Sequence, residues 1–599
     1  MNPEQRAAVE TTRGPLCILA GAGTGKTTTI TRRIAWQVAS GAFAARHIVA
    51  VTFTDKAAGE LRGRLRALGV EGVRASTFHS AALALLRHFE GDPGRILPSK
   101  APLLRRIGNG LPGAFRFRPA GDLATEIEWA KNRRLTPDTY YDGLGDHEPP
   151  IPPDLARRVF REYERRKAED GLLDFEDLLE RTVRVLESDE SARAAVHDRW
   201  RAFTVDEYQD VNLLQQSLLD LWLGERDELC AVGDDYQAIY GFTGASARWL
   251  LALPQRFPHA HVVRLERNYR STAQVLELAN RLVPKLGGSA KRLAPTLPDG
   301  PEPVVGPGLD VAARVRELHA GGIPLEDMAV LVRTNARTSE FEEAFHEAGI
   351  PFQGASLLAR DGARQLLKAL RGRQGPAGAI VRELAVHQGL LEDIPDKLGE
   401  REQTRQADLA RLVRLAEQFS GEVGEFVESL HERFGESAGR GVHLLTLHRA
   451  KGLEWEAVFL PRVEEGELPV RRGEVEEERR LFYVGLTRAK RNLLVTWDGK
   501  PSRFLDELGV RAAAPPLPKR ERPALEQTPA GQALREWRLA RARADEVPAY
   551  VVFNDRTLAE LVARTPRTIA ELAAVPGIGP AKLERYGAEL LEQLAGVAG

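Results

Sequence analysis

The run ILAGAGTGKTTTI at residues 18–30 breaks from apolar residues into glycines and ends in Lys-Thr. An apolar strand feeding a glycine loop and then a helix offers backbone N–H groups and a positive helix end to a phosphate. Ala22, Gly23, Thr24, Gly25, Lys26, Thr27 and Thr28 would line such a cradle. Lys26 would reach the β- and γ-phosphates, and the Thr27 hydroxyl is a hard oxygen ligand for Mg2+. The strict pattern asks for glycine at position 20, where this chain has Ala20, the smallest substitute. The partner of such a loop is an acidic pair at the end of a later strand, and AFTVDEYQD at 202–210 supplies one. Asp206 can hold Mg2+, and Glu207 can orient or deprotonate an attacking water. A carboxylate placed beside the metal ligand favours hydrolysis of a nucleoside triphosphate over phosphoryl transfer to a substrate.

These groups need a rigid scaffold. Over the first ~245 residues, short apolar stretches (LCILAG, HIVAVTFT, VRASTF, AFTVDE, LCAVGD) alternate with helical patterns, which predicts an α/β unit with a parallel sheet. A helix-rich stretch, about 85–200, interrupts it. A second α/β series follows, with HVVRLERNYR, MAVLVRTN, VHLLTLHRAKGLEWEAVFLP and NLLVTW, interrupted by a charged helical segment at about 368–438. Residues 511–530 have the Pro-rich, charged composition of a linker, and a small helical unit ending in VPGIGPAKLERYG closes the chain.

Composition bounds the rest. The chain has 599 residues, 43% hydrophobic and 28% charged, which suits several folded domains. Lys and Arg number 84 against 85 Asp and Glu, so a nucleic-acid partner would have to be met by a local basic track. The two cysteines, Cys17 and Cys230, lie in apolar runs and read as buried hydrophobes, which excludes a disulfide framework or a Cys-based zinc site. Neither a signal-peptide pattern nor a membrane-length apolar run is present, so the expectation is a cytoplasmic protein with no membrane partner.

Nearly the whole chain resembles the UvrD/PcrA/Rep family of superfamily 1A DNA helicases. The resemblance is carried, in the family's order, by NPEQRAAV (2–9), AGAGTGKT (20–27), VTFTDKAAGEL (51–61), STFHS (76–80), LLDFEDLL (172–179) and VDEYQD (205–210). It continues through VGDDYQAIYGFTGA (232–245), LERNYRS (265–271), TLHRAKGLEWEAVFLP (446–461) and EEERRLFYVGLTRAKRNL (476–493). The fold it implies is two RecA-like P-loop domains, at 1–84 with 201–263 and at 264–367 with 439–508. Helical insertions at 85–200 and 368–438, a linker at 509–529 and an all-α HRDC bundle at 530–599 complete it. The activity it implies is ATP-dependent, Mg2+-assisted translocation 3′ to 5′ on single-stranded DNA, with unwinding at single-strand/duplex junctions, in repair or replication restart.

By the same resemblance, Gln5 reads adenine, Tyr269 stacks on it, and Glu454 lies at the ribose. Gln237 senses the γ-phosphate, and Arg270 and Arg488 reach it from the second RecA-like domain. Phe53, Thr77, His79, Tyr240, Phe242 and His448 occupy the DNA-contact positions. Phe242 stands where the family commonly has Trp. Each of these aromatics can equally be a core residue, and Asp174 in LLDFEDLL reads as a helix N-cap. The second insertion is shorter than in long members, which leaves open a translocase that displaces proteins from single strands and unwinds little. In the C-terminal unit, GIG at 577–579 with Lys582 and Arg585 can present N–H groups and charge to a phosphate, or be a solvated scaffold.

Overall fold

The computed structural model describes residues 1–112, 115, 120–354, 357–391, 400–434, 440–471, 473–510, 529–544, 552–553, 555–573, 575, 578 and 580–597. They divide into two compact units: Met1–Leu104, Gly121–Arg360 and Glu428–Pro515 in one, Arg105–Ala120, Asp361–Val427 and Pro516–Gly599 in the other.

The first unit contains two six-stranded parallel sheets. In the first lie β1 (Leu16–Ala20), β2 (Ile48–Thr52), β3 (Arg74–Thr77), β4 (Ala202–Val205), β5 (Leu229–Gly233) and β6 (His261–Leu265), ordered β3-β2-β4-β5-β1-β6. The strands LCILA, IVAVT and LCAVG are buried along their whole length, as strands covered on both faces must be. Cys17 and Cys230 are buried free thiols on the neighbouring strands β1 and β5. Ala20 closes β1 in register with Leu265. It lies outside the positive-φ positions of the chain, so the missing glycine is not needed for the turn.

The second sheet comprises β7 (Val304–Pro307), β8 (Met328–Val332), β9 (Phe352–Gly354), β10 (Val442–Thr446), β11 (Trp455–Leu460) and β12 (Ala489–Trp497), ordered β7-β12-β11-β8-β10-β9. One sequence reading is corrected. HVVRL does not open the second series, because β6 pairs with β1 and edges the first sheet. It is an edge strand with its early residues exposed, so its pattern carries little information about which sheet it joins. The edge strands β7 and β9 also escaped the sequence pattern.

In a parallel sheet every strand points its carboxyl end to one edge, where the loops gather. The glycine loop after β1, Phe53, the Asp206–Glu207 pair and the Asp234–Gln237 turn all follow strands of the first sheet in this way. Leu447 and His448 follow β10 of the second. In the second unit, described helices span Asp361–Leu370, Ala377–His387 and Glu400–Gln418, and Pro529–Ala544, Asp555–Arg564, Ile569–Ala573 and Pro580–Val597. Leu534, Phe553, Leu558, Leu561, Leu572 and Leu590 form the core of the C-terminal bundle. Gly577 and Gly579 of the GIG motif, and linker residues 511–528, lie outside the described residues. None of the described helices is long and apolar enough to cross a membrane.

Candidate functional site

Gly23 and Gly25 adopt φ of +67° and +80°, and Gly25 caps the helix Lys26–Ala39. Their missing side chains are also a packing requirement. A Cβ on Gly23 would lie 2.6 Å from Arg270 Cβ and Asn268 Nδ2, and one on Gly21 would strike Leu293. The loop is fastened from behind. Asn268 Nδ2 donates to Ala22 O (2.7 Å), Tyr269 N to Gly23 O (2.9 Å), and Thr24 Oγ1 to Gly21 O (2.8 Å).

Gln5 lies at this loop with its amide engaged. Nε2 donates to Thr24 O at 3.0 Å, while Oε1 accepts from Asn2 N at 3.1 Å in a capping box. Tyr269 is 45% exposed, with its hydroxyl accepting from Asn2 Nδ2 at 3.1 Å. Its ring is therefore open on a face that is held in place.

Lys26 Nζ sits 3.3 Å from Glu207 Oε1. Burial opposes its charge, but the Glu207, Asp234 and Asp206 carboxylates outweigh that and raise its pKa. Glu207 occupies the left-handed region at φ 51°, a conformation that costs a non-glycine residue free energy. Burial disfavours its charge, but Lys26 and Lys451 hold its carboxyl below the ordinary range, whereas Asp206 is pushed up by burial and by Glu207. The two neighbours are thus driven apart, one firmly ionised and the other, although Lys26 favours its charge, held up by burial and by Glu207. Among the described residues, the Thr27 hydroxyl makes no hydrogen bond to the protein. A hydroxyl and an electrostatically frustrated carboxylate are a donor set that suits Mg2+.

A hydrogen-bonded chain leaves this pair. Gln209 Nε2 donates to Glu207 Oε2 (2.5 Å), and Gln209 Oε1 accepts from Asp234 N (2.9 Å). Gln237 Nε2 donates to Asp234 Oδ2 (2.6 Å), and Arg488 Nη2 donates to Gln237 Oε1 (3.0 Å). Arg488 is 1% exposed and also donates to Val484 O and Leu453 O. Burial and nearby Arg270 pull its pKa down to about 9, which still leaves it a cation at neutral pH. Arg270 Nε donates to Glu454 Oε2 at 2.5 Å, so Glu454 here meets an arginine. Lys451, which the sequence reading passed over within TLHRAKG, joins Asp210 Oδ2 (2.5 Å) to Gln237 O (2.7 Å).

Beyond Gln237 the same segment becomes aromatic. Phe242 is 47% exposed, edge-on to His448 at 5.8 Å and tilted against Tyr240 at 6.2 Å. Tyr240 packs on the core and lies under Lys451 Nζ, 4.9 Å from the ring centroid. Burial, with Arg333 and Lys451 nearby, pushes the His448 pKa down to about 3, and burial with Lys100 pushes His79 to about 4. Both imidazoles are therefore neutral at physiological pH and act as flat apolar surfaces with polar edges.

His79 lies edge-on 5.8 Å from Phe175, which is 45% exposed, a second aromatic pair open to solvent. LLDFEDLL gave no hint of that, because an aromatic in an apolar run reads as core. Phe53 is half-buried, edge-on to Phe78 at 6.2 Å. Thr77 is spent as the N-cap of the helix Phe78–Phe89, accepting from Ser80 N at 3.1 Å. Asp174 is the N-cap that its sequence suggested, accepting from Asp177 N at 2.9 Å, and it also receives Lys131 (2.7 Å), Lys167 (3.2 Å) and Tyr163 OH (3.0 Å).

Residues 1–258 match the family model described as UvrD/REP helicase N-terminal domain, and residues 263–398 and 379–500 match that of the UvrD-like helicase C-terminal domain. The chain belongs to the UvrD/REP helicase family. Residues 528–594 match the HRDC domain. A Mycobacterium tuberculosis (strain ATCC 25618 / H37Rv) protein named ATP-dependent DNA helicase UvrD2 is 40% identical over 690 aligned residues, covering 100% of this chain and 98% of its own. The Bacillus subtilis (strain 168) ATP-dependent DNA helicase PcrA is 29% identical, covering 83% of this chain and 82% of its own. Escherichia coli (strain K12) DNA helicase II is 31% identical over 85% and 87%. This UvrD/REP helicase is accordingly an ATP-dependent DNA helicase with a C-terminal HRDC domain. The hydrogen bond from Arg488 to Gln237 joins its C-terminal helicase region to its N-terminal one.

Proposed function

We propose that this helicase uses ATP hydrolysis, with Mg2+ held by Thr27 and Asp206, to move 3′ to 5′ along single-stranded DNA and to open single-strand/duplex junctions. The strongest support is one continuous segment. At Asp234–Gln237 it is bonded to Arg488, and from three residues later it carries the half-buried Tyr240 and the exposed Phe242. A shift at the phosphate end is thereby transmitted to the stacking end.

In this reading Lys26 neutralises the β- and γ-phosphate charge, and the loop N–H groups from Ala22 to Thr28 cradle it. Mg2+, when bound, supplies Lewis-acid stabilisation of the phosphate oxygens. Glu207, kept ionised by Lys26 and Lys451, orients and deprotonates the attacking water. Gln237 senses the γ-phosphate, and Arg270 and Arg488 stabilise charge on the transferring phosphoryl from the C-terminal helicase region. Tyr269 offers a face for adenine. Gln5 would release Thr24 O to read the base edge, and Glu454 would exchange Arg270 for the ribose. Phe53, Thr77, His79, Tyr240, Phe242 and His448, joined by Phe175, hold the strand by stacking and polar contacts. The work is done in the cytoplasm, in repair or replication restart.

A second reading has its own support. The 690-position alignment with UvrD2 exceeds the 599 residues here, so that relative carries segments this chain lacks. The described helices between 361 and 434 are Asp361–Leu370, Ala377–His387, Glu400–Gln418 and Val423–Phe434. A translocase that clears proteins from single strands and unwinds little fits a reduced second insertion. The deciding experiment is strand displacement on 3′-tailed and 5′-tailed duplexes beside displacement of a protein bound to single-stranded DNA. Opening of the 3′-tailed duplex alone supports the first reading. Protein displacement without opening supports the second, and opening of the 5′-tailed duplex alone overturns both.

A further inference from the structure

We infer that Lys291 is a positioning residue for ATP hydrolysis, acting through Asp234 on Gln237, an inference that rests on the role proposed above for Gln237. Lys291 comes from GGSAKRL at 287–293, which lies in the C-terminal helicase region and matches no recognisable phosphate or DNA motif. Its side chain is 2% exposed. Nζ reaches Asp234 Oδ1 at 2.9 Å, bonds Asp235 as well, and stands 3.6 Å over the Tyr236 ring centroid. Asp235 is then saturated by Ser289, accepting from its N at 2.8 Å and its Oγ at 2.6 Å, while Tyr236 OH donates to Ser289 O at 2.7 Å. Gly288, at φ +75°, lets this turn close, since a Cβ there would strike Asp235. Two residues beyond Lys291, the Leu293 side chain fills the space in front of Gly21 of the phosphate loop.

The short segment thus contacts both the phosphate loop and the Asp234–Gln237 turn. Asp234 Oδ1 takes Lys291 at 2.9 Å and the Tyr236 backbone N–H at 3.2 Å, and Oδ2 takes Gln237 Nε2 at 2.6 Å. With Lys291 fixing the first, the second can aim the Gln237 amide in only one way, with Oε1 toward Arg488 at 3.0 Å. Without the ammonium, Asp234 is a buried carboxylate held at Oδ1 by the Tyr236 N–H alone, and Gln237 loses its aim. Lys451 holds Gln237 from its backbone carbonyl instead, so the residue would stay in place while its side chain misorients.

The test is a double-mutant cycle on the full chain, using Lys291→Met and Gln237→Ala. The measurements are ATPase kcat and KM at saturating oligothymidylate, the Kd of a non-hydrolysable ATP analogue, and the melting temperature. Lys291→Gln is the second variant should the Met form not accumulate. The expected result is a fall of about tenfold in kcat, with KM and analogue affinity within about twofold. Combined with Gln237→Ala, Lys291→Met should add no further loss. Unchanged kcat, or losses that multiply fully, would overturn the positioning role while leaving Gln237's own role intact. Gln237→Ala with wild-type ATPase would fail the underlying reading, and this inference with it.

Discussion

In the proposed reading, Phe242 is the place where grip on DNA can be separated from the fold. Its ring is 47% exposed, touching His448 edge-on at 5.8 Å and Tyr240 at 6.2 Å. Full burial of a phenylalanine stabilises a protein by roughly 1.5–3 kcal/mol, so a half-exposed ring contributes about 1 kcal/mol. Stacking on a base is worth roughly 1–3 kcal/mol. Phe242→Ala should therefore weaken single-stranded DNA binding about 5- to 150-fold, at ~1.4 kcal/mol per decade. The melting temperature should move only slightly. Phe242→Trp, with more stacking area, should bind more tightly than the parent. Fluorescence anisotropy with labelled oligothymidylate at one fixed salt concentration measures this, beside a thermal melt, because salt alone shifts such affinities strongly. At saturating DNA the ATPase kcat of Phe242→Ala should stay near wild type. Affinity within twofold of the parent would refute the stacking role, and a collapse in melting temperature would show that the ring is core.

Three further outcomes follow from the same geometry. Lys26→Ala should lower kcat for ATP about a hundredfold or more, the scale for losing one preorganised electrostatic donor, while anisotropy shows DNA binding retained. Asp174→Ala leaves Lys131 and Lys167 short of a buried carboxylate and removes a helix cap, so chemical denaturation should read a loss of about 3 kcal/mol or more. The Glu477 carboxyl is pushed up to about 7 by burial and by neighbouring Glu478. The folded state then binds its proton more tightly than the unfolded chain, so its contribution is fully present below the ordinary carboxylate range and is lost as pH rises through 7. Glu477→Gln should accordingly have a higher unfolding free energy than the parent at pH 8, by about 1–3 kcal/mol by chemical denaturation, with the advantage gone at pH 5.

The parts of this protein that a sequence reveals are those written in contiguous residues. The phosphate loop, the Asp206–Glu207 pair and the apolar runs of β1, β2 and β5 each carry their physical reason within a few positions. β6 was misassigned because an edge strand with exposed residues does not declare its partner. Phe175 was missed because an apolar run gives no direction for each side chain. The structure places it at the first position of the helix Phe175–Ser188, where it projects next to His79. Lys291 was invisible for a different reason: its partners, Asp234 and Asp235, are over fifty residues away in a chain where ion pairs are chosen by tertiary contact. Gln5 lies at the glycine loop with its amide engaged by Thr24 O and Asn2 N, a pairing that no local sequence pattern announces.

The proposed coupling of a phosphate site to a DNA surface through residues 234–244 is tested most directly by the ATPase of Gln237→Ala, measured without DNA and at saturating oligothymidylate. Gln237 bonds Asp234 on one side and Arg488 on the other, while Tyr240 and Phe242 follow on the same segment. The variant should bind oligothymidylate and ATP analogue like the parent but lose most of the acceleration that DNA gives to hydrolysis. Full DNA stimulation in Gln237→Ala, with binding intact, would contradict the coupling.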